Sequence, residues 1–379
     1  MRVVIAPDKF KGCLTAAEVA TAVAAGLRDH HRHLDIVEVP VADGGDGTVA
    51  AALSAGFSHV EVPTVGPTGQ PVRTGYAVDR YRAVIELAQA VGLARLPEKR
   101  LDPLGASTFG LGVVVMDALD RGATEIVLGL GGSASTDGGA GLVQALGASL
   151  TDGAGHALPR GGGALTHLRG LDLAALQSRL AGVRFVVACD VDNPLLGPNG
   201  AAAVFGPQKG AGPPEVEQLE AALTVWARLV ADATGSDLTD RPSAGAAGGT
   251  GFAALALLAA ELRPGIELVL DLVGFDERLD GADLVITGEG SLDEQSLAGK
   301  APVGVAQAAA RANPPIPVVA VAGRTTLSAE QLQRAGIARV YPLEDLENDL
   351  ASSITHAASL LRAVGATIGQ DWLNGPPHA

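Results

Sequence analysis

Apolar and polar positions follow two different patterns along this chain. VVIAPD (3–8) is a short β-branched run that ends on an acid, and TAAEVATAVAAGLRDH (15–30) repeats apolar residues at helical spacing. Thr15 followed by Glu18 is a capping-box pattern at the start of that helix. DIVEVPVAD (35–43) is a second apolar run ending on an acid, and GGDGTVAAALSAG then opens another helix. Strand, loop, helix, strand is the pattern of an α/β fold. In such sheets ligands collect beyond the carboxyl ends of the strands, where Asp8 and Asp43 stand.

From about residue 60 the pattern changes. HVEVPTVGPTGQPVRTGYAVDRYRAVIELAQ has short alternating runs between Gly and Pro turns, which predicts antiparallel hairpins and entry to a second domain. ASTFGLGVVVMDALDRG (106–122) reads as a helix, and EIVLGL as a buried strand running into the glycine loop GLGGSASTDGGAG (129–141). LVQALGASL reads as the helix after it. RFVVACDVDNPLLG (184–197) is a strand entering a third acidic loop. AAAVFGPQKGAG, a long helix through Trp226, and SAGAAGGTGFAALALLAAEL complete the middle region.

The α/β pattern resumes near residue 280. ADLVITGEG (282–290) predicts a strand ending at Glu289, GKAPVGVAQAAARAN a helix, and IPVVAVAGRT and ARVYPL further strands, before a last helix through HAASLLRAVGATI. Neither chain end supplies a full sheet alone, so the economical assembly joins both into one parallel sheet. The expected fold is therefore two-domain α/β. Residues 1–65 and 280–379 form a discontinuous Rossmann-like or flavodoxin-like domain, and residues 66–279 form an inserted α/β domain that carries the glycine-rich loops.

Bulk properties narrow the function. A chain of 379 residues exceeds what one core usually serves. Aromatics are only 3%, so the core is aliphatic, and the 50 glycines are nearly double the usual share of about 7%. A formal charge of −15 leaves no basic face for nucleic acid, so none is expected as partner. No apolar run approaches the ~20 residues of a membrane span. MRVVIAPD turns acidic too soon for a signal peptide, and Cys13 and Cys189 make no CxxC pair, so a cytoplasmic protein with reduced thiols is expected.

The glycine loop points to chemistry. Glycines between a strand and a helix let backbone N–H groups approach an anion at the helix start. No G-x-x-x-x-G-K-[ST] string occurs, so charge and metal ligands must come from elsewhere. Only five lysines are present, and Lys11, Lys209 and Lys300 each touch a glycine. Asp8, Asp43, Asp137, Asp190, Asp192, Glu289 and Asp293 sit at strand ends or in glycine loops. Of these, Asp192 reads as a turn former or cap, as do Asp46 and Asp152. Carboxylates for Mg²⁺ and for a proton, with cations and N–H groups for phosphate oxygens, are what phosphoryl transfer requires. No histidine metal pair and no GxSxG elbow appears. A rival reading remains: GLGGSA (129–134) fits the dinucleotide fingerprint, with Asp152 about twenty residues on. However, STDGG would break the first turns of the helix that fingerprint needs.

IAPDKFKGCLTA, PVADGGDGT, ASTFGLG, GLGGSASTDGGAG, ACDVDNPLLG, FGPQKGA and ITGEGSLDEQSLAGK together, in this order, resemble the bacterial glycerate kinase type-1 family across nearly the whole chain. The resemblance implies phosphorylation of D-glycerate by ATP with Mg²⁺, at the 2-hydroxyl, in an active site between the two domains. On that reading Asp190 is the first choice for the base and Asp43 the second, Lys11 and Lys300 neutralise the transferred phosphoryl, and Glu289 and Asp293 hold Mg²⁺. Asp8, Asn193, Lys209 and the loop residues Gly131, Gly132, Ser133, Ser135, Asp137 and Gly138 are expected to bind substrate and phosphate. Lys9, Cys13 and Asp46 depart from the family, which often has serine, serine or threonine, and glutamate there. A 3-phosphoglycerate product, an NAD(P)-dependent hydroxy-acid dehydrogenase and a non-catalytic sugar-acid binder are the alternatives, and a homodimer is left open.

Overall fold

A computed structural model describes residues 1–373. The first strands along the chain are β1 (Arg2–Pro7), β2 (Asp35–Glu38), β3 (Ser58–Val65), β4 (Pro71–Asp79), β5 (Arg82–Glu86), β6 (Glu125–Gly129) and β7 (Ser149–Thr151). They are followed by β8 (Gly170–Asp172), β9 (Arg184–Ala188), β10 (Glu261–Arg263), β11 (Leu284–Leu292), β12 (Val318–Thr325) and β13 (Arg339–Pro342). Contacts divide the chain into two compact units. Unit one comprises Met1–Asp43, Ala50–Ala55 and the chain from Gly265 onward, and unit two comprises Gly44–Val49 and Gly56–Pro264.

Unit one is built on a five-stranded sheet of order β13-β12-β11-β1-β2, drawn from both chain ends. Every pairing in it is parallel. Its strands are apolar at successive positions because both faces are covered. Val4, Ala6, Val285, Val318 and Ala320 belong to one core cluster, and Val3, Ile5, Leu284, Ile286 and Val319 to another. The period-2 alternation of side chains thus feeds two cores from the same strands. Helices Ala16–His30 and Ala357–Leu373 supply the second cluster, and Ala301–Arg311 the first. The Ala16–His30 and Ala357–Leu373 pair packs backbone to backbone: a Cβ on Gly26 would lie 1.9 Å from the Arg362 carbonyl, and one on Gly365 2.4 Å from the Val23 carbonyl. The predicted capping box is present, with Thr15 Oγ1 accepting from the Glu18 N–H at 3.2 Å.

The strand order fixes where a ligand crevice opens. The helix after β1 and the helix after β11 cover opposite faces of the sheet, yet β1 and β11 are neighbours. Their carboxyl ends therefore diverge at a topological switch point, where open α/β sheets hold ligands. β1 and β11 are in register up to Pro7 and Gly288, so the next residues are Asp8 and Glu289.

Unit two has a six-stranded sheet of order β10-β9-β6-β5-β4-β3 and a small two-stranded one of β7 and β8. β5, β6, β9 and β10 run parallel, while β3, β4 and β5 form the antiparallel hairpins expected from the Gly and Pro turns. Trp226 on the helix Pro213–Thr234 is fully buried in its core.

Several elements differ from expectation. Ser58–Val65 pairs with β4 and lies in unit two, and Gly265–Leu272 belongs to unit one, so the main divisions fall at 55/56 and 264/265, with Gly44–Val49 also in unit two, instead of at 65/66 and 279/280. β11 runs past Glu289 to Leu292. The helix after the glycine loop spans only Ala140–Ala145 before Gly147 turns at φ +113° into β7. Among the described residues no helix is long and apolar enough to cross a membrane.

Candidate active site

The switch point of unit one gathers acids and lysines. Asp8 and Glu289 are 6% and 8% exposed. The Asp8 N–H donates to the Gly288 carbonyl at 2.8 Å, which locks the start of the loop to β11. The Lys9 N–H donates to Asp8 Oδ1 at 2.6 Å, and the Lys9 ammonium lies 3.6 Å from the same oxygen. Ser296 Oγ donates to Glu289 Oε1 and accepts from the Asp293 N–H at 3.1 Å. Asp293 Oδ1 in turn accepts from the Gln295 N–H at 2.9 Å. Lys300 is the N-cap of the helix Ala301–Arg311.

Burial pushes the Glu289 carboxyl up to about 7; the Ser296 bond and Lys300 lower it, while Asp8 and Asp293 raise it further. Burial likewise pushes Asp8 up to about 6, opposed by Lys9 and reinforced by Asp43. Asp8 is thus within electrostatic reach of Asp43, Glu289 and Lys9, and Glu289 within reach of Asp8, Asp293 and Lys300. Adjacent carboxylates leaving water together are costly to ionise unless a cation joins them. Hard oxygen donors of this kind suit Mg²⁺, which takes one or two carboxylates and fills its remaining positions with waters and phosphate oxygens. Among the described residues no group of three or more His, Cys, Asp or Glu that could hold a metal ion occurs. Lys11 is exposed, its backbone beside Gly290.

In unit two, β5, β6 and β9 run parallel and end at one edge, placing Glu86, the glycine loop and Asp190 on it. Asp190 is exposed. The loop differs from the expected cradle. Only Gly131 and Gly132 are exposed, while Ser133 to Gly139 are buried. Asp137 is 0% exposed and accepts from the Thr108 N–H at 2.7 Å, the Ser107 and Thr108 hydroxyls, and the Gly139 and Gly141 N–H groups at 3.2 Å. Two of the loop's N–H groups, those of Gly139 and Gly141, are therefore taken by the loop's own carboxylate. Asp137 is corrected from ligand-binding to a latch between the loop and Ser107–Thr108.

Three further expectations change in the same way. Gly138 donates its N–H to the Gly248 carbonyl at 2.9 Å and accepts from Trp226 Nε1 at 3.0 Å. Asn193 Nδ2 donates to the Asn199 carbonyl at 2.8 Å, and the Asn193 carbonyl accepts from the Gly245 N–H. Lys209 is 2% exposed, and its ammonium donates to Ser133 Oγ at 3.0 Å and to the Ser135 carbonyl. Gly138 and Lys209 are buried framework contacts, and half-buried Asn193 spends its amide on the Asn199 carbonyl. Asp152 holds a local turn, accepting from the Ala154 and His156 N–H groups, not a ribose.

Glu86 was not singled out by the sequence, although it too closes an apolar run, RAVIE. It is 2% exposed, and one oxygen accepts from the Gly47 and Val49 N–H groups at 3.1 and 2.6 Å. It thereby holds the segment Gly44–Val49 against β5, and burial keeps its carboxyl above the usual range.

Burial lowers the Lys209 pKa from 10.5 to about 7, with Asp137 opposing the shift. Between these values the unfolded chain binds a proton that the fold does not, so this group makes stability rise with pH. Urea unfolding from pH 7 to 9 is expected to show wild type gaining on Lys209→Met, by at most about 1.4 kcal/mol per pH unit. Equal slopes for the two proteins would contradict that burial.

A parallel sheet with acids and lysines at its switch point, and a second unit presenting glycine loops at its own strand ends, are the parts of a small-molecule phosphotransferase. Comparisons with known proteins agree. Residues 3–373 match the model of the Glycerate kinase family. The glycerate kinase of Bacillus subtilis (strain 168) is 42% identical over 97% of both chains, and the glycerate 2-kinase of Escherichia coli (strain K12) 44% identical over 90% of both. The crystal structure of a provisionally assigned glycerate kinase 2 from Salmonella typhimurium LT2 superposes with a TM-score of 0.87, at 42% identity and 98% coverage of both chains. The chain belongs to the glycerate kinase family, and it is a phosphotransferase that acts on an alcohol.

Proposed function

We propose that this enzyme transfers the γ-phosphoryl group of ATP to the 2-hydroxyl of D-glycerate, giving 2-phosphoglycerate, with Mg²⁺. The observation that carries the reading is the pairing of Asp8 and Glu289 at the β1–β11 switch point, with Lys9 and Lys300 in electrostatic reach. The name of the E. coli relative, glycerate 2-kinase, favours the 2-hydroxyl.

Glu289 and Asp293 are the residues that would hold Mg²⁺, which when bound would draw charge from the phosphate oxygens. Lys11 and Lys300 offer compact positive charge to the transferred phosphoryl. Gly131 and Gly132 are the loop residues open to a phosphate. Asp190 orients the attacking hydroxyl and accepts its proton, with Asp43 as the second choice. Because Asp190 is exposed, Asp190→Asn should leave the urea midpoint unchanged. It should lower kcat by about 10²-fold or more, the usual share of general-base catalysis. Near-normal turnover by that variant would remove Asp190 from the mechanism. A coupled ADP-release assay with D-glycerate, with and without Mg²⁺, provides the rate.

A further inference from the structure

We propose that Lys209 is a positioning residue, setting from within unit two the conformation of the glycine turn at Gly131–Gly132. This rests on the reading that the loop serves phosphoryl transfer. Lys209 ends the short turn Pro207–Lys209, and Gly210 at φ +96° lets the chain reverse behind it. Its ammonium reaches Ser133 Oγ at 3.0 Å and the Ser135 carbonyl, just past the two exposed glycines. Ser133 Oγ lies 3.2 Å from the Ala247 carbonyl, and the Gly138 N–H reaches the Gly248 carbonyl at 2.9 Å. Lys209 thus ties its own turn to the glycine loop, and Ser133 Oγ and the Gly138 N–H tie that loop in turn to the second glycine loop.

The surroundings are shaped to admit it. A Cβ on Gly248 would lie 2.8 Å from the Lys209 ammonium and 2.1 Å from the Ser135 carbonyl. Ala247, Gly248 and Gly249 run at φ 52°, 69° and 88°, a left-handed series that includes a residue with a side chain. Such strain persists where neighbouring contacts over-determine it. Ser135 Oγ and Thr136 Oγ1 are buried without hydrogen-bond partners, so the ties to the loop here run through Ser133 and backbone carbonyls. A buried ammonium is a poor stabiliser, because desolvation offsets its hydrogen bonds. An apolar side chain of similar length would fill the space without that cost. What only the lysine supplies is N–H donors that reach two oxygens of the glycine loop, Ser133 Oγ and the Ser135 carbonyl, from a separate turn.

The test compares wild type, Lys209→Met, Ser133→Ala and the double variant, in ADP release with D-glycerate and MgATP and in urea unfolding. Lys209→Met should lose on the order of 100-fold in kcat/KM, the usual cost of misplacing a site by about 1 Å. Its urea midpoint at pH 7 should equal or exceed that of wild type, a split that a merely structural lysine would not give. Ser133→Ala should lose about tenfold, as expected for one hydrogen bond. The double variant should be no worse than Lys209→Met, because both act through one contact. Wild-type kcat/KM in Lys209→Met, or additive losses that follow falling stability, would overturn the proposal. Should Lys209→Met not fold, Ser133→Ala with unimpaired kinetics would overturn it alone. An inactive wild type would overturn the phosphoryl-transfer reading and this inference with it, whereas an active wild type with an unimpaired Lys209→Met overturns only the inference.

Discussion

Glu289→Gln is expected to lower kcat by about 10²–10³-fold, the usual cost of removing one preorganised electrostatic group, while the fold stays intact. Glutamine has nearly the shape of glutamate, and its side-chain oxygen still accepts from Ser296 Oγ, the partner of Glu289 Oε1. What is lost is a negative charge, 8% exposed, beside Asp8. That charge is costly to hold in the crevice, since burial and the neighbouring acids both oppose it. Its neutralisation should leave the urea midpoint unchanged or raise it. An enzyme that tolerates such an acid and then needs it for turnover uses it for a positive charge that arrives with the substrates. Asp8→Asn should behave in the same way. Steady-state kcat together with urea unfolding of both variants decides the matter. Activity within about threefold of wild type would place the chemistry elsewhere.

Asp137→Ala is expected to be the most destabilising single change, at about 3–5 kcal/mol. Asp137 is 0% exposed and satisfies N–H groups at residues 108, 139 and 141 as well as the hydroxyls of Ser107 and Thr108. Alanine leaves these donors buried without an acceptor, and each such orphan costs about 1–3 kcal/mol before relaxation. It also removes the negative charge that favours the ammonium form of Lys209. Asp137→Asn should cost less, because an amide keeps one acceptor oxygen. Urea unfolding measures both. A loss under about 1 kcal/mol for Asp137→Ala would show that the latch is not what holds the loop.

Much of the fold was legible because local rules and packing agree. The apolar runs at 3–8 and 282–290 are β-branched and short, and both became central strands of one parallel sheet. Thr15 and Glu18 mark a helix start by hydrogen bonds that need only four residues. The boundaries were less legible. Ser58–Val65 reads equally well in either unit until its pairing with Pro71–Asp79 is known.

The candidate site divides along the same line. Asp8, Asp43, Glu289 and Asp293 could be picked out because acids following apolar strands must gather at the carboxyl edge of a parallel sheet. Asp137 and Lys209 carried the same local signature, a charge among glycines. Their burial depends on Ser107–Thr108, Ser133 and Ser135, which are tens of residues away from them in sequence, so no local pattern records it. Glu86 escaped notice because its partners, Gly47 and Val49, precede it by nearly forty residues.

The central claim is that the strand-tip acids and lysines serve ATP-dependent phosphorylation of glycerate at its 2-hydroxyl. Phosphorus NMR of a reaction containing the enzyme, D-glycerate, ATP and Mg²⁺ tests it most directly. The predicted result is loss of the ATP γ-phosphorus signal and growth of a phosphomonoester signal split into a doublet by the single proton on the substituted carbon. A triplet, from phosphate on the terminal CH₂, would contradict the 2-hydroxyl assignment, and no ATP-dependent phosphomonoester at all would contradict the central claim itself.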